Sequence, residues 1–453
     1  MKLLLVYPGN HDLGDHNRGK SRRFPAVGLP VIASVSPADW DITLVDEEQG
    51  ESIDFDGGYD LVGISSMTSQ APRAYEIGDE FLRRSVPVVH GGSHPSVCRD
   101  EALAHGSAVV AGEGELAWPE LVRDFIATGQ VPHKVYERRP GLDEPWYVAP
   151  RRALVVKKNT FPITPMVATR GCPFTCSFCS VFSVFGRGYR HRPVDEVVNE
   201  VRALRDAGHK NMVFLDDNIM GNSAWSKELF RRLAPLKVRW AGQAHLGTAR
   251  DPELLNLAEK SGLFALFIGI ESISRSALLG VRKGINDIDK YREWLKIVHG
   301  HGIFVIAGII FGFDEDDLSV FARTVEVLDR LDIGVANFSP LMPLPGTDVH
   351  RKLTAEGRII DTNWAHYDGS HVVFRPAKMT PEQLDEGSDW AAHTYFNPLR
   401  IARRFGSNWR HPLFYWTMSL AYMYKERTQH GAGSALKIGR AERRELLATF
   451  GLA

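Results

Sequence analysis

The sequence predicts an α/β protein in three parts: an N-terminal Rossmann-like, doubly wound sheet, a central partial (β/α)6 TIM barrel and a C-terminal helical cap. Three observations predict it. Short apolar runs alternate with helical stretches over residues 1–125, and the alternation restarts over 165–347 after a proline-punctuated connector, 126–164. Three cysteines, Cys172, Cys176 and Cys179, follow the first apolar run of the second series. Residues 348–453 lose the alternation and turn aromatic.

In the first series, 3–7 is an apolar run ending in Pro-Gly, 28–35 and 74–84 read as helices, and 41–46, 60–65, 87–90 and 108–111 read as strands. Ligands of such sheets bind at the carboxyl ends of the strands. Small and polar residues collect there: Ser65 and Thr68 after one strand, Gly91 and Gly92 ahead of His94 after the next, and Gly112 and Gly114 within Gly-Glu-Gly-Glu after the last. Glycines let a large ligand approach the backbone, and hydroxyls bond its polar rim. Gly92→Val is expected to block such a ligand. In the connector, Pro132, Pro140, Pro145, Pro150 and Pro162 preclude a long helix. Short strands are expected at 135–136, 153–156 and 165–168. The pairs Arg138-Arg139, Arg151-Arg152 and Lys157-Lys158 read as solvated.

The second series gives strands at 166–170, 211–215, 239–245, 265–270, 304–311 and 335–341. Helices are expected between them at 194–207, 225–233, 252–261, 288–299 and 318–331. Barrel chemistry lies at carboxyl strand ends. Those ends carry the cysteine loop, then Asp216, Asp217 and Asn218, then Gln243 and His245, then Glu271. An apolar run, 308–313, and a proline-rich loop, 340–347, follow strands five and six. Glu271, a carboxylate on a buried strand, needs a partner. Arg170 stands just before the cysteine loop, placed to neutralise negative charge or to form an ordinary ion pair.

The cysteines are spaced Cys-x3-Cys-x2-Cys. Thiolates are the standard ligands of a 4Fe–4S cluster, and three of them leave one iron open to another molecule. Structural zinc wants four ligands in paired spacing, and the remaining cysteine, Cys98, lies far upstream. A disulfide reading fails on the odd local count and the absence of a secretory signal.

This spacing resembles that of the radical SAM superfamily. The resemblance implies that the open iron binds S-adenosylmethionine (SAM) and that reductive cleavage yields a 5′-deoxyadenosyl radical, with an external electron donor of flavodoxin or ferredoxin type. It also implies SAM contacts from Glu271 and from Asp216, Asp217 and Asn218, which match the Asp-Asp-Asn common at this place in one branch. His245 is a further candidate contact. The glycine-rich strand ends of residues 1–125 resemble the cobalamin-binding domain that precedes the radical core in that branch. Its usual first-loop Asp-x-His-x-x-Gly is replaced by Asp15-His16-Asn17-Arg18-Gly19, so any cobalamin would lack that histidine ligand. The implied reaction takes hydrogen from an unactivated carbon of a small molecule, of the specialised-metabolite or antibiotic-biosynthesis kind. With cobalamin the outcome is C-methylation; without it, dehydration, rearrangement or cyclisation, as in diol dehydration of aminoglycosides. A non-enzymatic iron–sulfur sensor would want a fourth ligand and a partner surface, which are not seen.

A net charge of −1 gives no electrostatic case for nucleic acid, and no apolar run reaches membrane-spanning length. A cytoplasmic enzyme is expected. In the aromatic region, helices are expected at 381–396, capped by Thr380, at 397–405 and at 412–425. They read as a cap that covers the open side of the barrel and shapes the substrate site. The aromatic stretch 411–424 reads as a core helix, with a membrane-surface helix as the alternative.

Overall fold

The computed structural model describes residues 1–10, 26–141, 144–155, 161–186, 188–429 and 440–450. The Asp15–Gly19 motif and Lys157-Lys158 lie outside them. The first sheet has six parallel strands, ordered β2-β1-β3-β4-β5-β6. They are β1 Lys2–Tyr7, β2 Asp41–Asp46, β3 Leu61–Ser65, β4 Val88–Gly91, β5 Ala108–Gly112 and β6 Val135–Arg138. Leu3 and Leu5 of β1 pack with Leu29 and Trp118 from helices on one face, while Leu4 and Val6 pack with Ala74, Ile77 and Phe81 on the other. A strand covered on both faces is apolar throughout, which is why β1 reads as an unbroken run. The sheet runs past residue 125. Val135 pairs with Val109, and the Tyr136 hydroxyl donates to Asp124 at 2.8 Å, so part of the connector is a sixth strand. The strand expected over 153–156 is instead a single 3-10 turn, Arg152–Leu154.

The second sheet is also parallel throughout, ordered β14-β13-β12-β11-β10-β7. Its strands are β7 Thr164–Met166, β10 Asn211–Phe214, β11 Arg239–Ala244, β12 Leu263–Glu271, β13 Phe304–Phe311 and β14 Val335–Pro340. The barrel is therefore open between β7 and β14. The single strand expected over 166–170 is split. After β7 the chain leaves the barrel sheet, and β8 Thr169–Gly171 pairs antiparallel with β9 Tyr189–His191. The cause is Asp216, whose buried carboxylate accepts the Ala168 N–H at 3.1 Å and the Thr169 N–H. Those amides are thereby withdrawn from a strand ladder.

The helix Pro381–Tyr395 starts at the expected cap, Thr380, and Gln383 completes a capping box with it. Its Tyr395 ring meets Phe338 of β14, and the following Arg400 and Arg404 both reach buried Asp329 on helix Val320–Arg330. In the helix Pro412–Gln429, Phe414 packs on Phe264 and Phe304, at the amino-terminal ends of β12 and β13. That is the end of the barrel away from the cysteines; farther along the helix, Tyr422 lines a pocket with Phe338 and Pro340 of β14, the strand at the open edge of the barrel.

Candidate active site

The cysteine loop hangs from the β8/β9 hairpin. Gly171 ends β8 at φ +83°, and any side chain there would collide with the Gly188 carbonyl. Only glycine turns the chain into Cys172 at this point. The loop is pinned by Ser177 N–H to the Val281 carbonyl at 3.0 Å and by Val349 N–H to the Ser177 carbonyl at 3.1 Å. All three cysteines are free of disulfides, and Cys176 is buried. Burial pushes all three thiols up, Cys179 to about 12, and Cys176 and Cys172 add to the push on Cys179. Such thiols ionise when a metal takes the place of the proton.

The candidates at the strand ends separate into two sets. Asp216 holds backbone, as above. Asp217 accepts from Gly171 N–H at 3.2 Å, beside the cysteines, and burial raises its carboxyl to about 6. Asn218 is buried near Cys172, and its Oδ1 has no partner among the described residues. His245 lies edge-on to Phe174 of the cysteine loop, centroids 5.0 Å apart. Its Nδ1 is also without a partner, and burial lowers its pKa to about 4, so the ring is neutral at pH 7. Glu271 sits at φ +64°, in the left-handed region that a non-glycine residue rarely adopts, at a register shift between β12 and β13. Asn286 holds this kink by donating to the Gly269 and Ile270 carbonyls at 2.8 and 2.9 Å. The kink aims Glu271 at Lys283, whose Nζ is 3.2 Å from Oε1.

Lys283 is a site residue that sequence reasoning missed. Burial alone would depress its ammonium, but Glu271 and then Cys176 outweigh that and hold it above the usual lysine range. In the sequence it is an ordinary Arg-Lys pair on a connection between strands. Only the fold brings it to the cysteines.

In the first domain, a half-open cleft lies at the carboxyl ends of the strands. Ser65, Gly91, Gly92, Gly112 and Gly114 line it, as do the unforeseen Gly28 and Gly63; Thr68 does not. Gly92 is at φ +98°, and a Cβ there would stand 2.6 Å from the Ser66 carbonyl oxygen. Gly92→Val would therefore distort its own loop before it met any ligand, which corrects the expectation of a purely steric block.

The two halves meet at buried charges. Arg170 and Arg190 face each other across the hairpin. Like charges placed so repel, and Glu113 and Glu115 compensate them. Arg170 Nη1 donates to Glu113 at 3.0 Å and also to Glu115, and Arg190 donates to Glu113. Arg170 and Glu115 also line the cleft. The Gly-Glu-Gly-Glu loop thus locks the cleft to the cysteine hairpin.

Two family models match: that of the Radical SAM superfamily over residues 166–328, and that of the B12 binding domain over 23–122. A bacteriochlorophyllide d C-12(1)-methyltransferase of Chlorobaculum tepidum is 34% identical over 80% of this chain and 81% of its own. The chain belongs to the cobalamin-binding radical SAM family. Within the family it is also 26% identical to a hopanoid C-2 methylase of Rhodopseudomonas palustris, over 74% of this chain and 65% of that one. The structure of the radical SAM methyltransferase TsrM from Kitasatospora setae, with cobalamin and a 4Fe–4S cluster bound, shares the fold, with TM-score 0.67 and 16% identity over 94% of this chain and 99% of that one. OxsB with aqua-cobalamin and SAM bound matches with TM-score 0.65 and 14% identity, over 100% of this chain and 78% of that one.

This radical SAM protein is accordingly an enzyme of the C-methyltransferase kind, and its cofactors are a 4Fe–4S cluster, SAM and cobalamin. Dehydration and the sensor reading are not favoured. The residues present fit these groups: three free thiols sit in one loop, and an open, glycine-walled cleft faces the hairpin that carries them. Among the described residues no histidine lines that cleft. No described helix is long and apolar enough to cross a membrane.

Proposed function

We propose that this enzyme methylates an unactivated carbon of a flat, largely apolar small molecule, with a chlorin-type tetrapyrrole as the substrate class. The carrying observation is the Glu113–Glu115 lock on Arg170 and Arg190, because it fixes the cobalamin cleft against the cysteine hairpin so that both sites serve one substrate. The 34% identity to a bacteriochlorophyllide methyltransferase supports the tetrapyrrole. So does the barrel wall, where Phe267, Ile306 and Ile310 are partly open beside the Gly269–Gly308 pair. When bound, the cluster supplies an electron and cobalamin carries the methyl group.

The chain's own residues bind and orient. Cys172, Cys176 and Cys179 hold the cluster. The Lys283 ammonium takes the methionyl carboxylate of SAM, while Asp217 and the open Oδ1 of Asn218 accept from its ammonium. Neutral His245 and Glu271 complete the SAM site, and the first-domain glycines lie along cobalamin. The reduced partner is an external flavodoxin- or ferredoxin-type donor.

The test is an anaerobic assay with cobalamin, SAM, a reductant and bacteriochlorophyllide d. S-adenosylhomocysteine and 5′-deoxyadenosine should form in equal amounts, with product one methyl group heavier. Active enzyme that yields no S-adenosylhomocysteine would remove methyl transfer, and methylation of other apolar molecules but no chlorin would remove the tetrapyrrole. The SAM site has its own prediction. Lys283→Met should weaken SAM binding about tenfold to a hundredfold, the value of one charge-assisted contact, while Lys283→Arg keeps most of the affinity. Equilibrium dialysis of cluster-loaded protein measures both. Equal affinity in the Met variant and the parent would return Lys283 to a structural role.

A further inference from the structure

The C-terminal region carries a surface that methyl transfer does not use. Twelve large apolar side chains are exposed among the described residues, and five of them fall within residues 399–424. These are Leu399 (82% exposed), Trp409 (64%), Leu413 (82%), Leu420 (46%) and Tyr424 (71%). A cluster of that kind is uncommon on a free soluble surface. Leu413, Leu420 and Tyr424 are seven and then four residues apart on the helix Pro412–Gln429, so they share one face. The opposite face is the one that packs, through Phe414 and buried Tyr415, on the barrel and the preceding helix. From Pro412 to Tyr424 the helix has no charged residue. Over that stretch it is largely apolar on both sides, and among the described residues Leu413, Leu420 and Tyr424 are exposed.

Charge names the occupant. Residues 390–425 contain no Asp or Glu and five cations, Arg400, Arg403, Arg404, Arg410 and Lys425, in a chain whose net charge is −1. Arg400 and Arg404 share the single carboxylate of Asp329, so that trio keeps one positive charge. Arg403 is exposed and has no partner among the described residues, and exposed Arg410 is bonded only to the Gly300 carbonyl. An exposed apolar helix face, preceded in sequence by exposed Trp409 and Arg410 and carrying Tyr424 towards its other end, has the make-up of a segment that lies in the headgroup region of an anionic bilayer. We propose that this face, from Leu399 to Tyr424, docks the enzyme on the surface of a membrane containing anionic phospholipid, with the helix lying in the interface and not crossing it.

Co-sedimentation of the full chain with vesicles tests this. Binding should be strong to phosphatidylcholine mixed with phosphatidylglycerol, weak to phosphatidylcholine alone, and weakened by salt. The double variant Leu413→Glu/Leu420→Glu should lower binding at least about tenfold at an unchanged thermal midpoint, because both side chains already face solvent. Arg403→Glu should remove part of the phosphatidylglycerol preference and leave the rest. Wild-type protein that stays in the supernatant with the mixed vesicles would overturn the proposal. So would a wild-type dimer in sedimentation that the double variant splits into monomers, since the face would then be a subunit contact.

Discussion

Replacing any one of Cys172, Cys176 and Cys179 with alanine should abolish both the iron–sulfur absorbance near about 400 nm and the cleavage of SAM, because a cluster left with two thiolates is poorly held. The fold should survive. The loop is pinned by backbone bonds through Ser177 and Val349, not by the thiols, and none of the three cysteines is in a disulfide. Reconstituted variants should therefore show a far-UV spectrum like the parent's, near-zero iron, and no 5′-deoxyadenosine. Cys98→Ala is the control. Cys98 sits in the first domain, after the helix Ser93–Val97, and its loss should leave iron content unchanged. A triple variant that still loaded iron and still made 5′-deoxyadenosine would overturn the assignment of these three ligands.

The legible parts of this protein are those set by local pattern. Apolar runs covered on both faces marked the parallel strands, and Thr380 marked a helix start that the structure reproduces. The cysteine spacing was legible because the three thiols of this loop lie within eight residues of one another. What was missed depends on distance along the chain. The β8/β9 hairpin arises because Asp216 captures the amides of Ala168 and Thr169, 47 or 48 residues earlier. Glu113 and Glu115 read as part of a ligand loop, since nothing in Gly-Glu-Gly-Glu points to arginines 55 to 77 residues away. The exposed side of the helix Pro412–Gln429 was invisible for another reason. From Pro412 to Tyr424 its sequence carries no charge and is apolar nearly all round, so no periodicity says which face is left exposed.

Glu113→Ala should be the most damaging change away from the cofactors. Glu113 is 2% exposed and serves both Arg170 and Arg190, and Arg190 is itself only 4% exposed. Removing one partner of a buried ion pair leaves an uncompensated charge, at a cost of about 3–5 kcal/mol, and the thermal midpoint should fall by about 5–15 °C. Arg170 keeps Glu115, so the loss falls mainly on Arg190, which then faces Arg170 across the hairpin with no carboxylate between them. Glu120→Ala gives the contrast. Its pair with Lys134 is 3.5 Å long and about half exposed, so its removal should cost under about 1 kcal/mol. The buried network should also matter to the reaction, because it joins the cleft to the cysteine hairpin. Below its melting transition, the Glu113→Ala enzyme should still cleave SAM but methylate less often per cleavage, so 5′-deoxyadenosine should exceed S-adenosylhomocysteine. A structural role alone predicts loss of both products together. Glu113→Gln, which keeps the shape and one acceptor oxygen, should fall between parent and alanine variant in melting and in product ratio. An alanine variant with parental stability and parental product ratio would show that the two halves are aligned by other contacts, such as the packing of the helix Val181–Phe185 on the helix Ser93–Val97 and β5.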